Sequence, residues 1–197
     1  MEQQRRAGPG RPRSQAVRAA ILRAALAELE ERGYAALTVE GIAARAGAGK
    51  QTIYRWWPSK ADVVLDALLD TAAERVPVPD EGSLAADLDA FLAATFRQEG
   101  QRAVLTGLMA QSVLDPAFAQ AFGERFLAGR RAALRGLLER ARARGEVDPG
   151  ADLDLLVDVV YGTLWYRMLV GHAPLDAETG RRLAALVADA ARPRHPG

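Results

Sequence analysis

Apolar residues recur three and four positions apart along nearly the whole chain: Ile21, Ala25 and Leu29; Leu84, Leu88, Phe91 and Leu92; Phe118, Phe122 and Phe126; Leu134, Leu138 and Ala141; Leu183, Leu186 and Val187. That spacing lays each set along one face of an α-helix, and no stretch alternates with period two for long enough to make a strand. The pattern predicts an all-α fold of about nine helices.

Punctuation residues divide the helices. Gly33 is expected to end a first helix running from about Ser14 to Arg32, because glycine accepts the left-handed conformation that closes a helix. Thr38 then caps a short second helix that buries Val39, Ile42, Ala43 and Ala46, and Gly47 stops it. A third short helix is expected over Lys50 to Trp57, broken by Pro58. Ser59 with Asp62 three residues on makes a capping-box-like start for a fourth helix through "ADVVLDALLDTAAERV". The prolines and glycine of "PVPDEG" (77–82) mark a domain boundary. Beyond it the spacing predicts helices over 83–98, 101–111, 116–144, 152–170 and 177–191, with Asp115 and Pro116 as cap and first-turn residue of the longest. The resulting organisation is a disordered basic arm (1–14), a helical domain with its linking helix (15–76), a second helical domain (80–191) and a disordered tail (192–197).

Charge changes this picture from a plain helical protein to a divided one. The net charge of +1 hides 11 Arg/Lys against 5 Asp/Glu in residues 1–60 and 15 against 20 in the remainder. A basic segment on an acidic body is the pattern of a polyanion-binding domain joined to something else, although scattered solvated charge would give the same counts. Cysteine is absent, which excludes disulfides, cysteine-based zinc sites and cysteine nucleophiles. The opening "MEQQRRAGPGRPR" lacks an apolar h-region, so a secretory signal is not expected and the cytoplasm is the expected location. The longest apolar run, "LLVDVVYGTLWYRMLV" (155–170), carries Asp158 and Arg167 and falls short of the ~20 residues of a membrane span.

The candidate chemistry lies in "GAGKQTIYRWWPSK" (47–60), which holds both lysines and two of the three tryptophans of the chain. Two short helices joined by a tight glycine turn, after a longer first helix, form the layout of a helix-turn-helix whose second short helix enters the DNA major groove. Gln51, Tyr54 and Arg55 share one face of that helix, while Ile53 and Trp57 turn toward the core. Lys50, Gln51 and Thr52 stand at its N-terminus, the end that meets base edges, and offer donors, an amide suited to adenine and a methyl suited to thymine. Tyr54, Trp56 and Lys60 suit phosphate oxygens, Trp56 either from the rim through its N–H or not at all if the ring is merely packed. Upstream, "PGRPR" (9–13) offers Arg11 and Arg13 to the minor groove, the alternative being a solvated tail.

The stretch "LTVEGIAARAGAGKQTIYRWWPSKADVVLDAL" resembles the DNA-binding domain of the TetR family of bacterial transcriptional regulators. Gly33, Thr38, Ile42, Ala43, Gly47, Thr52, Tyr54, Trp57 and Lys60 all fall in register over about residues 15–75. The resemblance implies a sequence-specific regulator, a repressor in the expected case, that binds a double-stranded operator as a homodimer and responds to a small-molecule effector. It implies that Thr52 approaches the bases, that Tyr54 and Lys60 grip phosphates and that Thr38 belongs to the DNA-facing set. Two positions depart from the family pattern. Gly41 stands where an acidic residue is usual, and Gly49 replaces the usual serine at the start of the recognition helix.

Residues 80–197 resemble the family's effector-binding and dimerisation domain only loosely. The helix "LDLLVDVVYGTLWYRMLV" is apolar nearly all round, so it is expected either to bury a second face against a partner chain, together with the 177–191 helix, or to be a central core helix. The candidate interface residues are Leu156, Val160, Leu164, Leu183, Leu186 and Val187. Candidate pocket residues are Leu105, Met109, Phe122, Phe126, Trp165 and Met168, because such pockets are mainly apolar and aromatic. No cofactor and no metal are expected. His172 and His195 stand without acid–base or metal-ligand context, which argues against an enzyme. The acidic second half argues against an architectural DNA-coating protein.

Overall fold

The computed structural model describes residues 10–72, 78–96 and 102–193. They are helical throughout, with no strand among them, as the apolar spacing predicts. The chain divides into two compact units, Met1–Thr71 and Ala72–Gly197.

The first unit holds α1 (Gly10–Ala36), α2 (Val39–Ala46), α3 (Lys50–Tyr54) and α4 (Lys60–Ala72). Helix α1 begins at Gly10, so residues 10–14, expected in a disordered arm, are helical instead. Pro12 is tolerated there because amides of a first helical turn have no intrahelical acceptor to lose. The regular part of α1 ends at Gly33, whose φ of 73° and ψ of 167° break the helix before a final turn through Ala36. Thr38 caps α2 by accepting from the Gly41 amide at 3.0 Å, and Gly47 closes it with φ 62°, a left-handed conformation that favours glycine. Helix α3 is shorter than expected. Past Tyr54 the chain tightens, with the Trp56 and Trp57 amides both donating to Ile53 O at 2.9 Å. Ser59 and Asp62 make the expected reciprocal cap of α4: the Ser59 amide donates to Asp62 Oδ2 at 3.0 Å while Ser59 Oγ accepts from the Ala61 and Asp62 amides. Ile21, Leu22, Ala25, Leu29, Ile42, Ile53, Trp57 and Leu65 fill the core of this unit.

The second unit holds α5 (Leu84–Phe96), α6 (Arg102–Leu114), α7 (Pro116–Phe122), α8 (Ala128–Ala143), α9 (Leu153–Val170) and α10 (Ala177–Ala191). Asp115 caps α7 as expected, accepting from the Ala117 and Phe118 amides. The single helix predicted over 116–144 is instead α7 and α8 joined through one π-helical turn, Gly123–Leu127. Helix α10 packs closely on α5 because Gly180 lacks a side chain: a Cβ there would stand 3.4 Å from the Leu92 carbonyl carbon. At the start of α5, the fully buried Asp87 pairs with Arg144 at 3.0 Å, tying it to the end of α8. No helix among the described residues is long and apolar enough to cross a membrane.

Candidate functional site

The short α3 stands where three features place it. Val39, Ile42 and Ala43 bury one face of α2, the Gly47 turn redirects the chain, and Ile53 and Trp57 sink into the core at 0% and 3% exposure. Trp57 is the anchor. Its indole Nε1 donates to Asp66 Oδ2 on α4 at 2.9 Å, and Arg18 on α1 pairs with the same oxygen at 2.9 Å. One carboxylate thus joins α1, α4 and the end of α3, and the Arg18 guanidinium also lies over the Trp57 ring. Such a charge-assisted network fixes the angle of a helix too short to hold itself.

With that face buried, the other is outward. Lys50, Gln51, Tyr54 and Arg55 are exposed, Tyr54 at 51%, and Thr52 and Trp56 are half-buried. Lys50 pairs with Glu40 on α2 at 2.6 Å, and the Lys50 hydrogen bond, ahead of a backbone one, holds the Glu40 carboxyl below its ordinary range. Trp56 meets Trp57 edge to face at 5.4 Å and carries the Arg55 guanidinium over its own ring at 5.4 Å. Gly49 opens α3 without a side-chain cap, leaving the first amides of the helix unspent on a side chain. Thr38, by contrast, is exposed but engaged in capping α2. The side chains of Arg11 and Arg13 lie outside the described residues, as do residues 1–9.

Lys60 differs from the expectation of a phosphate-gripping lysine. Its ammonium donates to the carbonyls of Tyr34 at 3.1 Å and Leu37 at 2.9 Å and lies 4.9 Å from the Tyr34 ring centroid. Carbonyls at and just past the end of α1 accept the ammonium, so the side chain turns inward and ties the start of α4 to the end of α1. Two residues absent from the sequence reading also shape the site. Glu28, 4% exposed, pairs with Arg32 at 3.2 Å and Arg45 at 3.1 Å, and its carboxylate comes so near Gly41 that a Cβ there would stand 3.0 Å from Glu28 Oε2. A buried carboxylate from α1 therefore occupies the ground beside position 41. The sequence signal was the charge seven residues after Ile21, inside an apolar helical stripe. Asp66 sits within the apolar run of α4 in the same way.

In the second unit a cavity of about 840 Å³ opens among α6, the π turn, α8 and α9. Leu105, Met109, Phe126, Trp165 and Met168 line it as expected. Phe122 does not: it is 1% exposed and stacks behind Phe126 at 5.2 Å while meeting Trp165 edge to face. The extra residue of a π turn re-aims the side chains that follow it, and here Phe126 and Leu127 both reach the cavity wall. Sequence reasoning missed the polar lining, above all Arg130 and Tyr161. The Tyr161 hydroxyl donates to Arg130 O at 2.8 Å, and burial pushes it up to about 12.

The proposed interface residues divide. Val160, Leu164, Leu183 and Val187 are buried within the unit and Leu156 is half-buried, which leaves Leu186 at 61% as the exposed member. The outward apolar residues of α9 are Leu155, Val159, Tyr166, Leu169 and Val170. A helix apolar on every side carries no phase in its sequence, so most of the selected residues turn out to lie in the core of the unit.

A three-helix head with an outward α3, followed by a separate helical unit enclosing a cavity, defines a helix-turn-helix DNA-binding regulator. The description "Bacterial regulatory proteins, tetR family" matches residues 21–67 and "Tetracyclin repressor-like, C-terminal domain" matches residues 78–187. The chain is 40% identical over 163 residues to the uncharacterized HTH-type transcriptional regulator YdeS of Bacillus subtilis (strain 168), covering 82% of each. It is 32% identical over 167 residues to the DNA-binding transcriptional repressor TetR of Mycobacteroides abscessus, covering 83% of this chain and 87% of that one. The crystal structure of the TetR family transcription regulator SCO0332 superposes with a TM-score of 0.76 at 33% identity, covering 90% of this chain and 99% of that chain. The protein belongs to the TetR family of transcriptional regulators.

Proposed function

We propose that this regulator is a repressor that binds a roughly palindromic operator as a homodimer and is released when a small molecule fills the cavity of its second unit. The observation that carries the reading is the pairing of an outward, core-anchored α3 with an 840 Å³ cavity in a separate unit, of the size that takes drug-like molecules. In this reading Gln51 and Thr52 meet base edges. Tyr54, Arg55 and Trp56 serve the phosphates, and Lys50 exchanges Glu40 for the duplex. Arg11 and Arg13, together with the exposed Thr38, would add contacts at the edge of the site. Lys60 acts through α4 by holding its first turn rather than by touching DNA.

The dimer would form through the exposed stripe Leu155, Val159 and Tyr166 of α9 with Leu186 of α10, since apolar side chains in a row along one face favour an isologous contact. Two recognition helices then meet half-sites about 34 Å apart or a multiple of it. An effector releases the operator only as far as it prefers the protein conformation with the wrong half-site spacing. Gel-shift titration on DNA flanking the gene tests the proposal. A single retarded complex containing two chains per duplex, abolished by an effector, is expected. Uniform coating of any DNA, or a complex of one chain, would contradict it.

A further inference from the structure

The cavity is apolar along most of its wall, yet among the described residues one of the cations that line it has no carboxylate partner. Among the charged residues that line it, Arg131 pairs with Asp158 where both are partly exposed, Asp176 is spent capping α10 through the Thr179 amide, and Arg102 donates to the carbonyls of Arg167 and Met168 at the end of α9. Arg130 remains. Among the described residues no carboxylate pairs with its guanidinium, which lies 4.5 Å from the Phe126 ring centroid on the cavity wall. Burial disfavours its charge and pushes it below its ordinary range, a shift that the Tyr161 hydroxyl opposes only in part. A guanidinium keeps its proton under these conditions, so a partly desolvated positive charge lines the cavity.

Resting on the reading that this cavity takes the effector, we propose that the effector is amphipathic: an apolar body with one oxyanion head, carboxylate or phosphate, that pairs with Arg130. The fork of an arginine matches both heads through two parallel donors, and a partly desolvated pair is stronger than one in water. The apolar body lies against Leu105, Met109, Trp165 and Met168, all on the wall. Aromatic linings also attract quaternary ammonium ligands, but here Arg130 already covers the Phe126 face and adds like charge to any cation that enters. Cationic ligands are therefore disfavoured.

Calorimetric titration of the full chain with octanoate, octyl phosphate, 1-octanol and octyltrimethylammonium, which share one tail, separates the possibilities. At least one of the two anions is expected to bind about tenfold or more tightly than 1-octanol, and the ammonium to bind weakest. Arg130→Met, which keeps an apolar stem, should erase that preference while leaving 1-octanol affinity in place. Arg130→Lys should keep most of it. Equal affinity for octanol and both anions, or a preference that survives Arg130→Met, would overturn the proposal while leaving the cavity as an effector site. If no probe binds at all, the effector reading of the cavity fails, and this inference fails with it.

Discussion

Replacing Trp57 with phenylalanine removes one hydrogen-bond donor and part of a ring from the joint that sets the angle of α3. The lost bond, Trp57 Nε1 to Asp66 Oδ2 at 2.9 Å, has an ionised acceptor, a type whose net contribution is about 1.5–3 kcal/mol. Shrinking a ring that is 3% exposed leaves a small void, adding about 1 kcal/mol. Arg18 stays at 2.9 Å from the same oxygen, so the carboxylate keeps a partner and the total falls near the low end, about 2–3 kcal/mol. Because the chain has two units, a global melt would mix them, and hydrogen exchange at the Ile53 and Trp57 amides reads the first unit directly. The Trp57→Phe variant should exchange there faster by the factor that corresponds to this loss, about thirtyfold or more. Trp56→Phe, in a half-buried ring, should change exchange less than threefold yet weaken operator binding. An acceleration below threefold for Trp57→Phe, or equal effects of the two variants, would refute the anchoring role.

Further expectations follow from the same geometry. Lys60→Met should destabilise the first unit by about 1–2 kcal/mol in the absence of DNA, measured by hydrogen exchange at the same amides, because two carbonyls lose a cationic donor; unchanged stability would return Lys60 to the phosphate role. Gln51→Ala should relax preference at one base position, about 1–3 kcal/mol of discrimination in competition gel shifts with operator variants, whereas an unaltered preference profile would remove Gln51 from base reading. Leu155→Glu combined with Leu186→Glu should give a folded monomer by sedimentation, while Val160→Glu should unfold the second unit, because Val160 is 0% exposed. The Glu146 carboxyl is held below its ordinary range, first by the Leu84 amide and then by Arg144. Its stabilisation is present above the unfolded value of about 4.3 and is lost as pH falls through the lower folded value, so acid unfolding of the second unit below about pH 4 should flatten in Glu146→Gln.

What the sequence made legible was local. Thr38, Gly47, Ser59 with Asp62, and Asp115 act on amides within a few residues, so their type and spacing disclose the helix boundaries they make. The outward face of α3 was legible for a related reason: Ile53 and Trp57, four apart, leave Gln51 and Tyr54 no place but the surface. The contacts of Lys60 were not legible because its partners, Tyr34 and Leu37, lie 26 and 23 residues back and no periodicity links them. The exposed stripe of α9 was hidden by uniform apolarity, and Arg130 by the π turn, which shifts the register of every side chain after Gly123. Five pocket residues emerged from leucine, aromatic and methionine placement alone, while the charged lining residue Arg130 did not.

The central claim is that α3 enters the major groove, and the absence of cysteine from the chain allows it to be probed at one atom. An iron chelate attached at Arg55→Cys, an exposed position at the end of α3, should cut operator DNA at two clusters centred on the half-sites, and the same chelate at Glu178→Cys, exposed on α10, should cut nothing. Cutting from position 178 alone, or none from position 55 on DNA that the protein demonstrably binds, would contradict the account.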